Sequence, residues 1–518
     1  KLDELTFIPA QGYFANTYLP GDPSVAWLRR KLEQKIALKG RDLRLEKASA
    51  PYRQPFDAPT SDGLDVFLSS DKAAVEGPTR LTLQVGLKGS LHHAKHRAPL
   101  NAALVIDLRS APSEQNRRML WRIADAIASN QQAGDQFSLV VAGVKNPLRV
   151  EGNHFDLVSV RRSLAQALSE REESGQAESL QAALLAAYGK VGGEGADDAP
   201  LGANLVLLVS AAPVAEDLEA LQSLAHRQAL AGIDLSTIAV GAVADMKALE
   251  MLALAGQGRR RLLSDAKQTR ALVEAELSAS GRVVARALRL RIRLGEDVRL
   301  IQVLGSQPLN AVRTQKARES EQAIDRRVAK TLGIEADRGE DEDGIQIIIP
   351  TYYAGDDHVI LLDVVVPGPG KVADVRVRYK DLVRLRNSVA SASLHLDAGT
   401  RPDGPLTHNV QKNLLAYHLS EDLLLTARQL ENGRIDEVTH RLSAYMNRIA
   451  QLQARFPDLQ NDPELDRDQR MLLAYVSVFR DHHTWQNDRQ IRVHLVRSLA
   501  YAGKTKLPPT VSPSKLER

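Results

Sequence analysis

Residues 101–110 read Asn-Ala-Ala-Leu-Val-Ile-Asp-Leu-Arg-Ser. The run from Ala102 to Ile106 is apolar throughout, and Asp107 ends it. A short apolar run closed by a polar residue is a strand buried on both faces. At its carboxyl end a parallel strand of an open α/β sheet hands over to a helix, and ligands bind there. Asp107 therefore stands where such a fold would carry a site.

Working outward, strands are expected at 101–107, 136–144, 204–210, 234–241 and 259–263. Helices are expected between them at 113–132, 156–171, 178–192, 216–231, 244–256 and 266–280. This alternation predicts a parallel sheet with helices on both faces, over residues 101–281. The flanks read differently. In 79–90, Leu81, Leu83, Val85 and Leu87 alternate with Thr82, Gln84 and Lys88. Leu288, Leu290, Ile292 and Leu294 alternate with Arg289, Arg291 and Arg293, and Val375, Val377 and Tyr379 with Arg376, Arg378 and Lys380. Antiparallel sheets with one wet face have this pattern. The fold class expected is multidomain, α/β plus β plus α. The α/β unit is inserted in, or flanked by, a β-sandwich built from 79–100 and 282–400.

The amino-terminal part, 1–78, is expected to be extended, with a short helix after Ser24 and a Pro-rich strap from Pro51 to Pro59. Helical spacing sets in after Gly404, over Leu406–Asn432, Ile435–Phe456, Asp466–His482 and Asp488–Tyr501. These form a helical domain at 404–501 of antiparallel hairpins. The tail 502–518, with Pro508, Pro509 and Pro513, is expected to be disordered.

The chain of 518 residues holds 68 basic and 64 acidic residues, a formal net charge of +4. Mixed charges of this kind favour a soluble surface over a nucleic-acid footprint. No cysteine is present, which excludes disulfides and thiolate chemistry. No apolar stretch reaches the ~18 residues of a membrane span. The chain begins at Lys1, which fits a leader or lipoprotein signal that has been removed.

Two features resemble one family. The words Phe14-Ala-Asn-Thr-Tyr-Leu-Pro-Gly-Asp22 resemble the segment that precedes the α/β domain in bacterial, often exported, von Willebrand factor A (vWA) proteins. The strand ending in Asp107 resembles the start of the metal-ion-dependent adhesion site of vWA domains, Asp-x-Ser-x-Ser. The resemblance implies a Rossmann-like vWA domain with a degenerate metal site. Arg109 and Ala111 stand where that motif has serines, Ala177 where it has threonine, and Ala211 where it has the second aspartate. A one-residue shift in the later alignments brings in Ser174, Glu178 or Ser210 instead. No cofactor is implied, Mg²⁺ being a weak expectation that Arg109 opposes with its own charge. Either Asp107 pairs with Arg109 or caps a helix, or the two belong to a partner-binding rim with Ser110, Glu178 and Ser210.

Other motifs carry less. His92, His93 and His96, and His482 with His483, lack the geometry of a metal site on a strand or helix end. Gly503-Lys504-Thr505 lacks the earlier glycine of a phosphate loop. The arginine rows read as a solvated sheet face, and Glu335–Asp343 as a charged loop. No catalytic set stands out. The function expected is a non-enzymatic protein-binding or scaffolding protein of the bacterial cell envelope or periplasm. The alternatives are a hydrolase-type enzyme at the cleft between α/β unit and sandwich, or a cytoplasmic vWA partner of an ATPase chaperone. The sequence names neither the protein partner nor the oligomeric state.

Overall fold

The computed structural model describes residues 2–18, 52–92, 99–174, 179–192, 203–399 (apart from 215, 231, 242–243, 264, 333 and 336–342), 403–488 (apart from 485), 492, 495–496, 499–500 and 502–503. The strands in chain order are β1 Gly12–Tyr13, β2 Leu64–Ser70, β3 Ala74–Val75, β4 Thr79–Gly89, β5 Leu100–Asp107, β6 Gln136–Ala142, β7 Leu148–Glu151 and β8 Ala203–Ser210. They continue with β9 Ile233–Val240, β10 Gln257–Leu263, β11 Val283–Leu294, β12 Arg299–Val303, β13 Ile345–Tyr353, β14 Asp357–Val366, β15 Gly370–Asp381 and β16 Arg386–Ala398.

Strand β5 sits inside a sheet of order β10-β9-β8-β5-β6-β7, parallel except for β7. All its residues are buried. The two faces are split by the strand's period of two. Ala102, Leu104 and Ile106 pack with Met119, Leu120 and Ile123 of helix Glu114–Ser129. Ala103 and Val105 pack with Leu180, Ala183 and Leu184 of helix Leu180–Gly192 on the other side. Ser113 caps the first of these helices, accepting from the Asn116 amide.

The α/β unit is inserted between β4 and β11 of a two-layer sandwich. One layer has the order β1-β13-β11-β15-β16-β3, the other β12-β14-β4-β2. β4 and β14 pair without a break from Thr79↔Val366 to Lys88↔Asp357. The amino-terminal part contributes β1, β2 and β3 to these sheets. Of the Phe14–Asp22 words, Phe14–Tyr18 are described. Phe14 and Tyr18 are buried in the sandwich, where the Tyr18 hydroxyl donates to Asp356 (2.8 Å) and its ring stacks on Tyr352. The helix expected after Ser24 lies outside the described residues.

Two faces expected to be wet are covered. Thr82 and Gln84 of β4 are buried; helix Pro405–Glu431 lies over Gln84, where the Asn413 side chain donates to the Gln84 side-chain Oε1 (2.7 Å). The arginine row of β11 is met by helix Ala311–Leu332. Arg289 pairs there with Glu321 and Asp325, and Lys380 with Asp325 (2.9 Å). Alternation reports which residues face the sandwich core. It does not report what a later segment lays on the other face.

The helical domain holds Pro405–Glu431, Ile435–Arg455 and Pro463–Arg480 around a core of Leu419, Leu423, Leu442, Ile449, Leu472 and Phe479. Asp462 caps the third helix at the Glu464 and Leu465 amides. Ala502 and Gly503, read from sequence as the start of the tail, are helical and buried; Ala502 packs in this core and the Gly503 carbonyl accepts from Ser420. Residues 504–518 lie outside the described residues. The strap crosses from this domain to the sandwich. Tyr52 donates to Asp468 (2.5 Å), and Phe56 stacks on Phe67 over Gly86.

The amino-terminal end of the α/β sheet meets the sandwich through a buried polar junction. Asp234 of β9 accepts from the Tyr353 hydroxyl of β13. Arg259 of β10 lies 4.7 Å over the Tyr353 ring, Arg261 pairs with Glu276, and Arg286 of β11 donates to the Gly232 carbonyl (2.9 Å). Burial pushes the Asp234 carboxyl up to about 6, against the Tyr353 hydrogen bond and the charges of Arg286 and Arg259.

Candidate site at the carboxyl end of the sheet

Asp107 lies at the opposite end of the same sheet, 1% exposed. Its carboxylate is fully engaged. Arg109 donates from Nε to Oδ1 (2.9 Å) and from Nη2 to Oδ2 (2.8 Å), the paired geometry of a guanidinium on a carboxylate. The Arg109 amide also donates to Oδ1 (3.1 Å), and the Ser210 hydroxyl to Oδ2 (2.7 Å). The remaining outward nitrogen, Nη1, donates to Glu216 (3.0 Å).

Glu216 binds a second group. Its carboxylate accepts from the amides of Leu180 (2.5 Å) and Gln181 (3.2 Å), at the amino terminus of helix Leu180–Gly192. That end of a helix carries unsatisfied N–H groups and favours a negative charge. Two acids and one guanidinium thus tie the loop after β8 to the loop after β5 and to a helix end. Arg171 adds a hydrogen bond to the Arg109 carbonyl (3.0 Å). Gly143, at φ +95°, passes so close to the Arg109 backbone that a Cβ would lie 2.8 Å from its nitrogen.

Burial works to lower the Arg109 pKa, yet the Asp107 hydrogen bonds and charge, with Glu216, outweigh it and the net direction is upward. The cation is fixed. The donor set does not fit a divalent metal ion. Such an ion requires a shell of oxygen ligands, and here a guanidinium occupies both Asp107 oxygens. Among the described residues no group of three or more His, Cys, Asp or Glu could hold a metal ion.

Of the residues singled out in the sequence, the structure brings Asp107, Arg109 and Ser210 into contact. It buries Asp107 and Ser210, so neither reaches the surface. The Arg109 side chain is 10% exposed. Ser110 and Ala111 are exposed at the rim, and Ala211 is buried. Ala177 and Glu178 lie outside the described residues, as do His93 and His96. Glu216 was not legible in the sequence. The sequence places it at the start of the helix expected at 216–231; that helix begins at Leu218, and Glu216 precedes it and turns to Arg109.

No protein-family model matches the sequence, and no curated protein matches it. Solved structures do. A von Willebrand factor type A protein from Catenulispora acidiphila superposes with a TM-score of 0.51 at 13% identity, covering 78% of this chain and 89% of that one. The chain has a von Willebrand factor A fold. The ArnB paralog VWA2 from Sulfolobus acidocaldarius gives 0.47 at 15% identity over 86% of this chain and 98% of its own. The human COPII-coat protein Sec24c gives 0.41 at 11% identity, over 82% and 60%. No helix among the described residues is long and apolar enough to cross a membrane.

Proposed function

We propose that this chain is a non-enzymatic protein-binding scaffold of the bacterial cell envelope, and that its vWA fold engages a protein partner at the rim above Asp107 without a bridging ion. One observation carries the reading. The Arg109 guanidinium, held by Asp107 and Glu216, occupies the end of the central strand in place of a bridging ion. Its charge is permanent, because arginine stays protonated at any physiological pH. The exposed residues Ser110 and Ala111 beside it form the contact surface. The cell-envelope placement rests on the resemblance of the Phe14–Asp22 words to exported vWA proteins.

The test is affinity capture from an envelope fraction with the full chain, in EDTA and in Mg²⁺. The same partner is expected in both, and it is lost when Ser110→Arg and Ala111→Arg crowd the rim. Capture that requires Mg²⁺ overturns the metal-independent reading. A partner retained by the rim variant overturns the placement of the surface.

A further inference from the structure

The carboxyl-terminal helices have a core of their own. Among the described residues it takes its apolar side chains from 415–502, with one exception, Tyr52 of the strap. None of the described side chains of these helices belongs to the core of the sandwich. Helix Pro405–Glu431 meets the sandwich through hydrogen bonds. Gln411 donates to the Asp71 carbonyl (3.0 Å), and Asn413 to Gln84 Oε1 (2.7 Å). Gln84 Nε2 is buried in this seam with no hydrogen-bond partner among the described residues. That orphan donor works against the closed seam, because water entering there would satisfy it. A polar interface within one chain permits its two parts to move unless a large apolar contact spans it.

The strap spans it. In an extended segment alternate side chains point the same way, and Tyr52, Gln54 and Phe56 reach three places in turn. Tyr52 is buried among the helices, its hydroxyl donating to Asp468 and its ring 4.7 Å from Lys412 Nζ. The Arg53 amide donates to both Glu464 oxygens (3.0 and 3.2 Å). Gln54 lies in the seam. Its Oε1 accepts from Asn409 (3.0 Å) and Asn413 (2.7 Å), and its Nε2 donates to Asn413 Oδ1 (3.0 Å).

Phe56 is buried on the sandwich, stacked on Phe67 of β2 with ring centroids 4.7 Å apart. It lies flat against Gly86 of β4, where a Cβ would come within 2.2 Å of the ring. The missing side chain at Gly86 is what leaves room for this seat. One short segment thus places an aromatic ring in each of two bodies whose direct contact is polar.

We propose that segment 52–56 is a releasable latch. With both rings seated it holds the helical domain on the sandwich. When either ring leaves its seat, the domain moves off as one folded body and water enters the seam. The latch does not involve the rim above Asp107, so either reading can fail without the other.

The chain has no cysteine, so a pair of spin labels can be placed uniquely. Val389→Cys on β16 and Leu473→Cys on helix Pro463–Arg480 put them at residues 57% and 52% exposed. Pulsed dipolar spectroscopy of the full chain then reads the distance between the two bodies. In the otherwise unchanged chain one distance is expected to dominate, with the moved state at about 10% of molecules or less. Phe56→Ala and Tyr52→Ala are each expected to raise the ratio of moved to docked molecules about tenfold or more, since each loses a buried aromatic ring. Phe56→Ala leaves the helical core intact, so amide exchange within Ile435–Arg455 and Pro463–Arg480 stays slow in it. A distance distribution unchanged by either variant overturns the proposal, as does a second population in only one of the two. Fast exchange of those helices in Phe56→Ala also overturns it, because the domain would then be unfolding rather than moving.

Discussion

Two buried aspartates mark the two ends of the vWA sheet, and they are treated differently. At the carboxyl end, Asp107 takes two guanidinium hydrogen bonds, one amide and one hydroxyl. At the amino end, Asp234 takes a tyrosine hydroxyl, its Oδ1 has no hydrogen-bond partner, and burial raises its pKa to about 6. The first is a closed ion pair beside solvent. The second lies within the junction between two domains. A buried carboxylate left short of donors, as Asp234 is, is drawn toward its neutral form.

The largest expected effect breaks the first pair. Arg109→Ala strands Asp107 as a buried charge and costs about 3–5 kcal/mol, read from urea unfolding. Removing Asp107 as well, in the double alanine variant, recovers part of that loss. A cost below about 1 kcal/mol would place the pair with ordinary surface ion pairs. The next effect is a pH dependence at the other end. The folded pKa of Asp234 lies above its unfolded value of about 4. Its contribution is therefore complete below pH about 4 and is lost as pH rises through about 6. Wild type minus Asp234→Asn should then shift against the wild type by on the order of 2–3 kcal/mol between pH 3.5 and pH 7.5. A pH-independent difference would mean that Asp234 titrates as an ordinary surface acid.

Tyr353→Phe removes the one hydroxyl that Asp234 receives and costs about 1–3 kcal/mol by the same measurement, more at pH 7.5 than at pH 5. The smallest effect is a neutral control. Asn413→Ala leaves the buried Gln84 side-chain Oε1 without this donor and costs about 1 kcal/mol, with no dependence on pH across this range. A pH-dependent Asn413→Ala would show that the junction titration reaches beyond Asp234.

The apolar run before Asp107 and the alternations at 79–90 and 288–294 were enough to read an α/β unit set within a sandwich, because burial of a strand leaves a period in the chain. The pairing of Asp107 with Arg109 was also legible, since only one residue separates them. Three things were not. Glu216 reaches Arg109 from a loop more than a hundred positions away. Gln84 is dry because a helix from the carboxyl-terminal domain covers it. Tyr353 meets Asp234 because the sandwich packs under the sheet.

The sequence by itself determined the main α/β elements, their order and the nearness of Arg109 to Asp107, since these are local in the chain. Tertiary structure alone decided what meets each buried carboxylate and which sheet faces are covered. Those outcomes depend on contacts between residues far apart in the chain, and local periodicity carries no record of them.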